Sequence, residues 1–146
     1  MHFKTFENKT MNYDERYVTY FMEVAKLTAA MSRANRLKVG AVAVRDKKIL
    51  AAAWNGTPSG WDNTCEDEND NTKLEVIHAE ENVVCQLAAS SQSSIGADIF
   101  LTHAPCKHCA AKLAQVGFQN VYYRDVYRDM QGVELLKSHG VNVIRT

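Results

Sequence analysis

Two cysteines three apart, Cys106 and Cys109 in Pro105-Cys106-Lys107-His108-Cys109, share one face of a helix, and His78-Ala79-Glu80 upstream offers an imidazole and a carboxylate. Together they supply three zinc ligands plus one carboxylate that need not bind metal, the donor set of an open, catalytic site rather than a closed structural one. The fourth position falls to water, whose pKa zinc lowers towards about 7. Glu80 can take that proton and pass it on to a substrate, as a general acid/base must. Each motif alone has a plainer reading. Cys-x-x-Cys also suits half of a zinc ribbon or a redox pair, and His-x-Glu a solvated helix face. A ribbon would require a second cysteine pair, and the other two cysteines, Cys65 and Cys85, do not form one.

The elements that must position these groups follow from periodicity. In mid-helix, side chains two apart point about 200° away from each other, so His78 and Glu80 can share a target only from the first turn of a helix. Ile77, Val83, Val84, Leu87 and Ala88 recur at helical spacing from Val76 to about Ser90, which places both residues there. Residues 97–102 form a short strand, Pro105 opens the next helix where its missing N–H costs nothing, and Gly117 stops that helix. The cysteines therefore also sit at a helix start, where the positive end of the dipole favours thiolate.

Upstream, Tyr17, Tyr20, Phe21, Val24, Leu27 and Met31 mark an apolar helical face over 12–34, with Asn12 as cap and Asp14 and Glu15 in the first turn. Residues 39–44 and 49–54 read as a hairpin about the polar turn 45–48. Residues 55–73 are polar and turn-rich, a long functional loop. A fourth strand at 120–124, a helix at 129–139 closed by Gly140 and a last strand at 141–144 complete an α/β sandwich with a mixed sheet. Neither an internal repeat nor a second domain is visible, so residues 1–146 are read as one domain.

Composition narrows the classes of function. Seventeen basic and seventeen acidic residues cancel, which argues against binding long nucleic acids, while a local cluster could still hold a small anion. No stretch approaches the roughly 18 apolar residues of a membrane span, and the first residues lack a signal pattern, so a cytoplasmic protein is expected. In a reducing compartment the close cysteine pair is better used on metal than in a disulfide. Cys85 reads as a small buried core residue and Cys65 as a loop thiol, a second cation site beside Glu66 and Asp67 being the rarer option. His108 reads as an exposed histidine pointing away from the cysteine face, and His103 as either pocket lining or plain loop.

The pairing H-x-E…P-C-x-x-C resembles the signature of zinc nucleobase deaminases. Ser32-Arg33-Ala34-Asn35-Arg36-Leu37-Lys38-Val39-Gly40-Ala41, Trp54-Asn55-Gly56-Thr57-Pro58-Ser59-Gly60 and Leu101-Thr102-His103-Ala104-Pro105-Cys106 resemble the S-x-x-x-R-x-x-V-G-A, Y-N-G-x-P-x-G and L-T-x-x-P-C blocks of deoxycytidylate (dCMP) deaminases. The likeness runs from about residue 14 to the C-terminus and is greatest to compact bacteriophage members. It implies a three-layer α/β/α cytidine-deaminase-like sandwich with a five-stranded mixed sheet. It also implies a hydrolase acting on a cyclic amidine, which converts dCMP to dUMP and ammonia with Zn2+ and so supplies dUMP for thymidylate synthesis, and a homo-oligomer, commonly a hexamer.

Carried over by position, His78, Cys106 and Cys109 would hold zinc and Glu80 would relay the proton. Asn55, in the block with Thr57, would hydrogen-bond the deoxyribose, and Ala79 with the stretch Thr102, His103 and Pro105 would hold the pyrimidine edge. Ser32, Arg33 and Arg36 would receive the phosphate, although cations at a helix C-terminus have a plainer role against the dipole. Arg124 and Tyr127 would close over the nucleotide. Trp54 replaces the family's usual tyrosine. Only 57–77 stands where regulated members carry a longer, metal-bearing insertion, so control by dCTP and dTTP, with Mg2+ beside the effector nucleotide, is expected to be reduced or to use the 57–70 loop. Guanine deaminases, tRNA adenosine deaminases and a catalytically idle zinc-binding interaction protein are the rival readings. The last would have no reason to keep Glu80, and the second would need a basic surface.

Overall fold

Across the described residues, 13–126 and 129–146 of a computed structural model, the chain runs α1 (Glu15–Ala29), β1 (Gly40–Arg45), β2 (Lys48–Trp54), α2 (Ala79–Ala88), β3 (Asp98–His103), α3 (Lys107–Gln115), β4 (Asn120–Asp125), α4 (Gln131–Ser138) and β5 (Asn142–Arg145). The strands form a five-stranded sheet in the order β2-β1-β3-β4-β5. β1 is antiparallel to β2 and β3, while β4 is parallel to β3 and β5. The β1–β2 hairpin turns through Asp46 and Lys47 at φ 52° and 64°, both in the left-handed region that tight primed turns demand.

Side-chain alternation along the strands divides the core between two faces. Ala41, Ala43, Ile99, Leu101, Val121 and Tyr123 meet Val83 and Leu87 of α2, Ala110 and Leu113 of α3, and Val133 and Leu136 of α4. Val42, Val44, Phe100 and Tyr122 point the other way and pack on Phe21, Met22 and Ala25 of α1. Phe100 and Tyr122 stack at 4.3 Å between ring centroids in that layer. The result is the expected three layers. Parallel strands joined through α3 and α4 need crossovers of one hand, which puts both helices on the α2 face and brings the start of α3 to the carboxyl end of β3. Ligands bind at such strand ends in open α/β sheets.

The structure corrects several local expectations. The cap of α1 is Asp14, whose carboxylate accepts from the Tyr17 amide at 3.2 Å, and Asn12 lies outside the described residues. That helix ends at Ala29 rather than near residue 34. Its buried stripe is Phe21, Met22, Ala25 and Ala29, whereas Tyr20, Leu27 and Met31 are 54%, 71% and 59% exposed. Backbone approach decides this: a Cβ on Gly40 would lie 2.0 Å from the Ala25 carbonyl oxygen and 2.7 Å from the Ala29 nitrogen, so only small residues fit where α1 crosses β1. Pro105 precedes the cap of α3 rather than opening the helix, because Cys106 itself is the cap. Cys85 is exposed, not buried, because Val83 and Leu87 turn the opposite face of α2 inward.

Candidate active site

His78 caps α2 and Cys106 caps α3, both with extended backbone, and Cys109 follows one turn into α3. This arrangement aims three donors at one point. Nδ1 of His78 lies 3.2 Å from Cys109 Sγ and 3.8 Å from Cys106 Sγ, and the three ligand atoms fall within 4.8 Å of one another. A tetrahedral zinc with bonds of about 2.0–2.1 Å to nitrogen and 2.3 Å to sulfur separates its donors by about 3.5–3.8 Å. The donor set fits zinc in both chemistry and spacing. The Cys106 thiol is pulled down to about 3, first by its hydrogen bond with Cys109 and then by His78. Cys109 is pushed up by the Cys106 sulfur and then by burial. Two thiols sharing a proton this closely are both satisfied as thiolates by a divalent cation.

Glu80, in the first turn of α2, is 5% exposed. Burial is the main cause of its carboxyl being pushed up to about 7, against its own backbone amide and His78, which lower it. A carboxyl poised there can both take and give a proton near neutrality. Its neighbour Glu81, which sequence reasoning passed over, does the positioning. One oxygen accepts from the His78 amide at 3.2 Å and the other pairs with Lys112 of α3, so Glu81 ties the two helix starts together. The signal was present in the sequence as a carboxylate three residues after the cap.

Around these groups lies a cavity of about 450 Å³, within the size range of small-molecule sites. Arg36, Asn55, Ala79, His103 and Pro105 are on its wall. Ser32, Arg33, Thr57, Thr102 and Arg124, also expected at a ligand, are not among the residues that line it. Most of these are engaged elsewhere. The Ser32 hydroxyl donates to the Asn55 carbonyl at 2.8 Å and accepts from the Ala34 amide at 3.2 Å, and Thr57 donates to the Asp62 carbonyl at 2.8 Å. Thr102 accepts from the Gly40 amide at 3.1 Å, Arg124 is held by Asp125 at 3.1 Å, and Arg33 is exposed. Tyr127 lies outside the described residues.

Asn55 faces the cavity with both ends of its amide in use: Oδ1 accepts from the Val39 amide at 2.9 Å and Nδ2 donates to the Leu37 carbonyl at 2.8 Å. It clamps the chain entering β1. The structure also adds wall residues that sequence reasoning missed. Glu66 is 5% exposed and accepts from the amides of Asn35 and Arg36 at 3.0 and 3.2 Å. Cys65 is buried beside it, and among the described residues it belongs to no metal-capable cluster. His108 is exposed as expected, yet it too lines the cavity.

Residues 15–125 match the family model described as the cytidine and deoxycytidylate deaminase zinc-binding region. A cyanophage S-TIM5 dCMP deaminase solved in complex with dCMP and dUMP superposes with a TM-score of 0.90 at 40% identity, over 92% of this chain and 100% of that one. The deoxycytidylate deaminase of Mycobacterium phage D29 is 30% identical over 71% of this chain and 91% of its own length. ComE operon protein 2 of Bacillus subtilis is 37% identical over 85% of this chain and 68% of its own. With the family region spanning most of the described residues and the His78, Cys106 and Cys109 cluster within it, this chain belongs to the cytidine and deoxycytidylate deaminase family.

Proposed function

We propose that residues 1–146 act as one deaminase domain that hydrolyses dCMP to dUMP and ammonia. The observation that carries the reading is the likeness, at a TM-score of 0.90 over 92% of the chain, to a cyanophage enzyme solved with dCMP and dUMP, taken with the buried Glu80 beside the His78, Cys106 and Cys109 triad. Zinc held by that triad would supply the Lewis acidity that makes a water acidic near neutrality.

Glu80 does the rest of the proton work. It takes one proton from the attacking water as oxygen adds to C4 and delivers it to N3; it then takes the second proton from the C4 hydroxyl and gives it to the amine, so that the C4–N bond breaks as the C4 carbonyl forms and ammonia leaves. Ala79 and Pro105 border the pyrimidine, and Asn55 fixes the wall behind the sugar. Arg36 faces the phosphate.

The same reading extends to a homo-oligomer in the cytoplasm, with dCTP and dTTP, and Mg2+ beside them, as candidate effectors. Those are tested by gel filtration and by adding each nucleotide to the assay. For the activity itself, ammonia release is scored on dCMP, deoxycytidine, guanine and a tRNA anticodon stem-loop. Turnover of dCMP above all others is the expected result. Preference for guanine or the RNA would transfer the chain to another branch of zinc deaminases.

A further inference from the structure

At the carboxyl end of β3, Thr102 is 1% exposed and its hydroxyl accepts from the Gly40 amide at 3.1 Å. A buried hydroxyl proton must find an acceptor inside the protein. Among the described residues the atom in reach is Nδ1 of His103, at 2.8 Å. Nδ1 therefore accepts, and the imidazole carries its proton on Nε2. Asp125 lies on the Nε2 side and favours the same tautomer, but at 3.9 Å it is beyond hydrogen-bond range. The same Asp125 oxygen already accepts from Nε and Nη2 of Arg124 at 3.2 and 3.1 Å. Burial holds His103 below the usual histidine range, which keeps the ring neutral. Nε2–H is thus a fixed neutral donor with no hydrogen-bonding partner among the described residues, on a side chain 17% exposed on the cavity wall.

The register identifies what it faces. Ala41 pairs with Leu101 in the sheet, and the Gly40–Thr102 bond continues that pairing outward. The segment entering β1, which carries Arg36 and Val39 on the cavity wall, therefore runs beside the exit of β3. Arg36 and His103 both line the cavity, with His103 at the end of β3, three residues before the Cys106 cap of α3. We propose that Nε2–H of His103 donates a hydrogen bond to the 5′-phosphate of the nucleotide, so that His103, set by the relay from Gly40 through Thr102, is a determinant of nucleotide over nucleoside. This rests on the dCMP deaminase reading.

The test compares kcat/KM for dCMP and deoxycytidine in wild type, His103→Leu, His103→Asn and His103→Gln, each checked for zinc content. Leu has no donor, and Asn reaches Thr102 but not the rim, whereas Gln places an N–H near the Nε2 position. A hydrogen bond to a charged group corresponds to about tenfold to a hundredfold. The dCMP:deoxycytidine ratio should fall by that factor in the Leu and Asn variants and recover in large part in Gln. Asn serves as the donor-free variant if Leu folds poorly.

A ratio within about twofold of wild type in both donor-free variants overturns the assignment, and so does an equal fall on both substrates, which a merely structural role would give. In wild type the ratio should also stay flat from pH 7.5 to 9, because the phosphate is a dianion throughout and the donor is neutral. The charged groups facing His103 are Asp125 and Arg124. A tenfold fall would assign the contact to an imidazolium and overturn the neutral donor. Wild type that turns over deoxycytidine but not dCMP would overturn the assignment of dCMP as substrate, and the phosphate contact with it.

Discussion

Nδ1 of His78 sits 3.2 Å from Sγ of Cys109, although the two residues are 31 apart in sequence. The first belongs to the cap of α2 and the second to the first turns of α3, so the metal site depends on how two helix starts are set side by side. Glu81 bonds to the His78 amide and to Lys112 across that gap.

The donor set predicts one zinc per chain. Elemental analysis of wild type should return a stoichiometry near one, and Cys106→Ala or Cys109→Ala should lose most of it, because three protein ligands leave no spare donor. Full zinc in either variant would remove that cysteine from the site.

Glu80→Gln should keep zinc and the thermal midpoint of wild type while losing about 10² to 10⁴-fold in kcat. A neutral amide fills the same buried space but cannot carry a proton. Activity within about tenfold of wild type would assign the proton relay elsewhere.

That His78, Cys106 and Cys109 come together, with Glu80 on the same cavity wall, was legible in the sequence because the information is local: residue types, a spacing of three, and residues that start helices. The β1–β2 hairpin was legible for the same reason. The packing face of α1 was not, since large apolar residues suggested Tyr20, Leu27 and Met31, whereas contact with Gly40 selects Ala25 and Ala29. Nor were the roles of Ser32 and Asn55, whose partners are backbone atoms 23, 16 and 18 residues away. Glu66 stood in an acidic run with Asp67 and Glu68, and nothing in that run marks it as the buried one. The register of β1 on β3, which sets His103 beside the Arg36 segment, is fixed only by folding.

Gly132 of α4 packs on the loop that carries the ligands. A Cβ there would lie 2.1 Å from the Pro105 carbonyl oxygen and 2.9 Å from that of Cys106. Backbone cannot give way as a flexible side chain does, so Gly132→Ala should cost about 1–3 kcal/mol as overpacking. It should also release zinc faster to a chelator. Gly56→Ala is the control, since its nearest new neighbour would be a Trp54 ring carbon at 3.8 Å. Equal zinc retention in both variants would uncouple α4 from the metal.

On the α1 face, Asp98 accepts from the Tyr13 hydroxyl at 2.7 Å and from Asn120 Nδ2 at 2.7 Å. Burial raises its carboxyl above the usual range, outweighing those hydrogen bonds. The native state thus binds the proton more tightly than the unfolded chain. The associated stability is complete below the unfolded value, near 3.8, and is lost as pH rises through the folded one. Wild type should therefore gain on Asp98→Asn as pH falls towards 3.8, read as the difference between their urea midpoints. Loss of zinc in acid affects both chains alike and cancels. A difference that narrows on acidification would assign Asp98 a lowered pKa.

The two arginines of the 32–36 turn should behave differently. Arg36 is on the cavity wall, and its amide is anchored by Glu66 at 3.2 Å. Arg33 is exposed and does not line the cavity. If the phosphate enters the cavity, a guanidinium on the wall makes charge-assisted hydrogen bonds that a nucleoside cannot use. Arg36→Ala should lower the dCMP:deoxycytidine ratio of kcat/KM by about tenfold to a hundredfold, while slow turnover of deoxycytidine stays near wild type, because the zinc site and Glu80 are untouched. Arg33→Ala should leave the ratio within about twofold, as surface charges outside a site usually do. The reverse pattern would place the phosphate on the outer side of the turn, beyond the cavity that Arg36 lines.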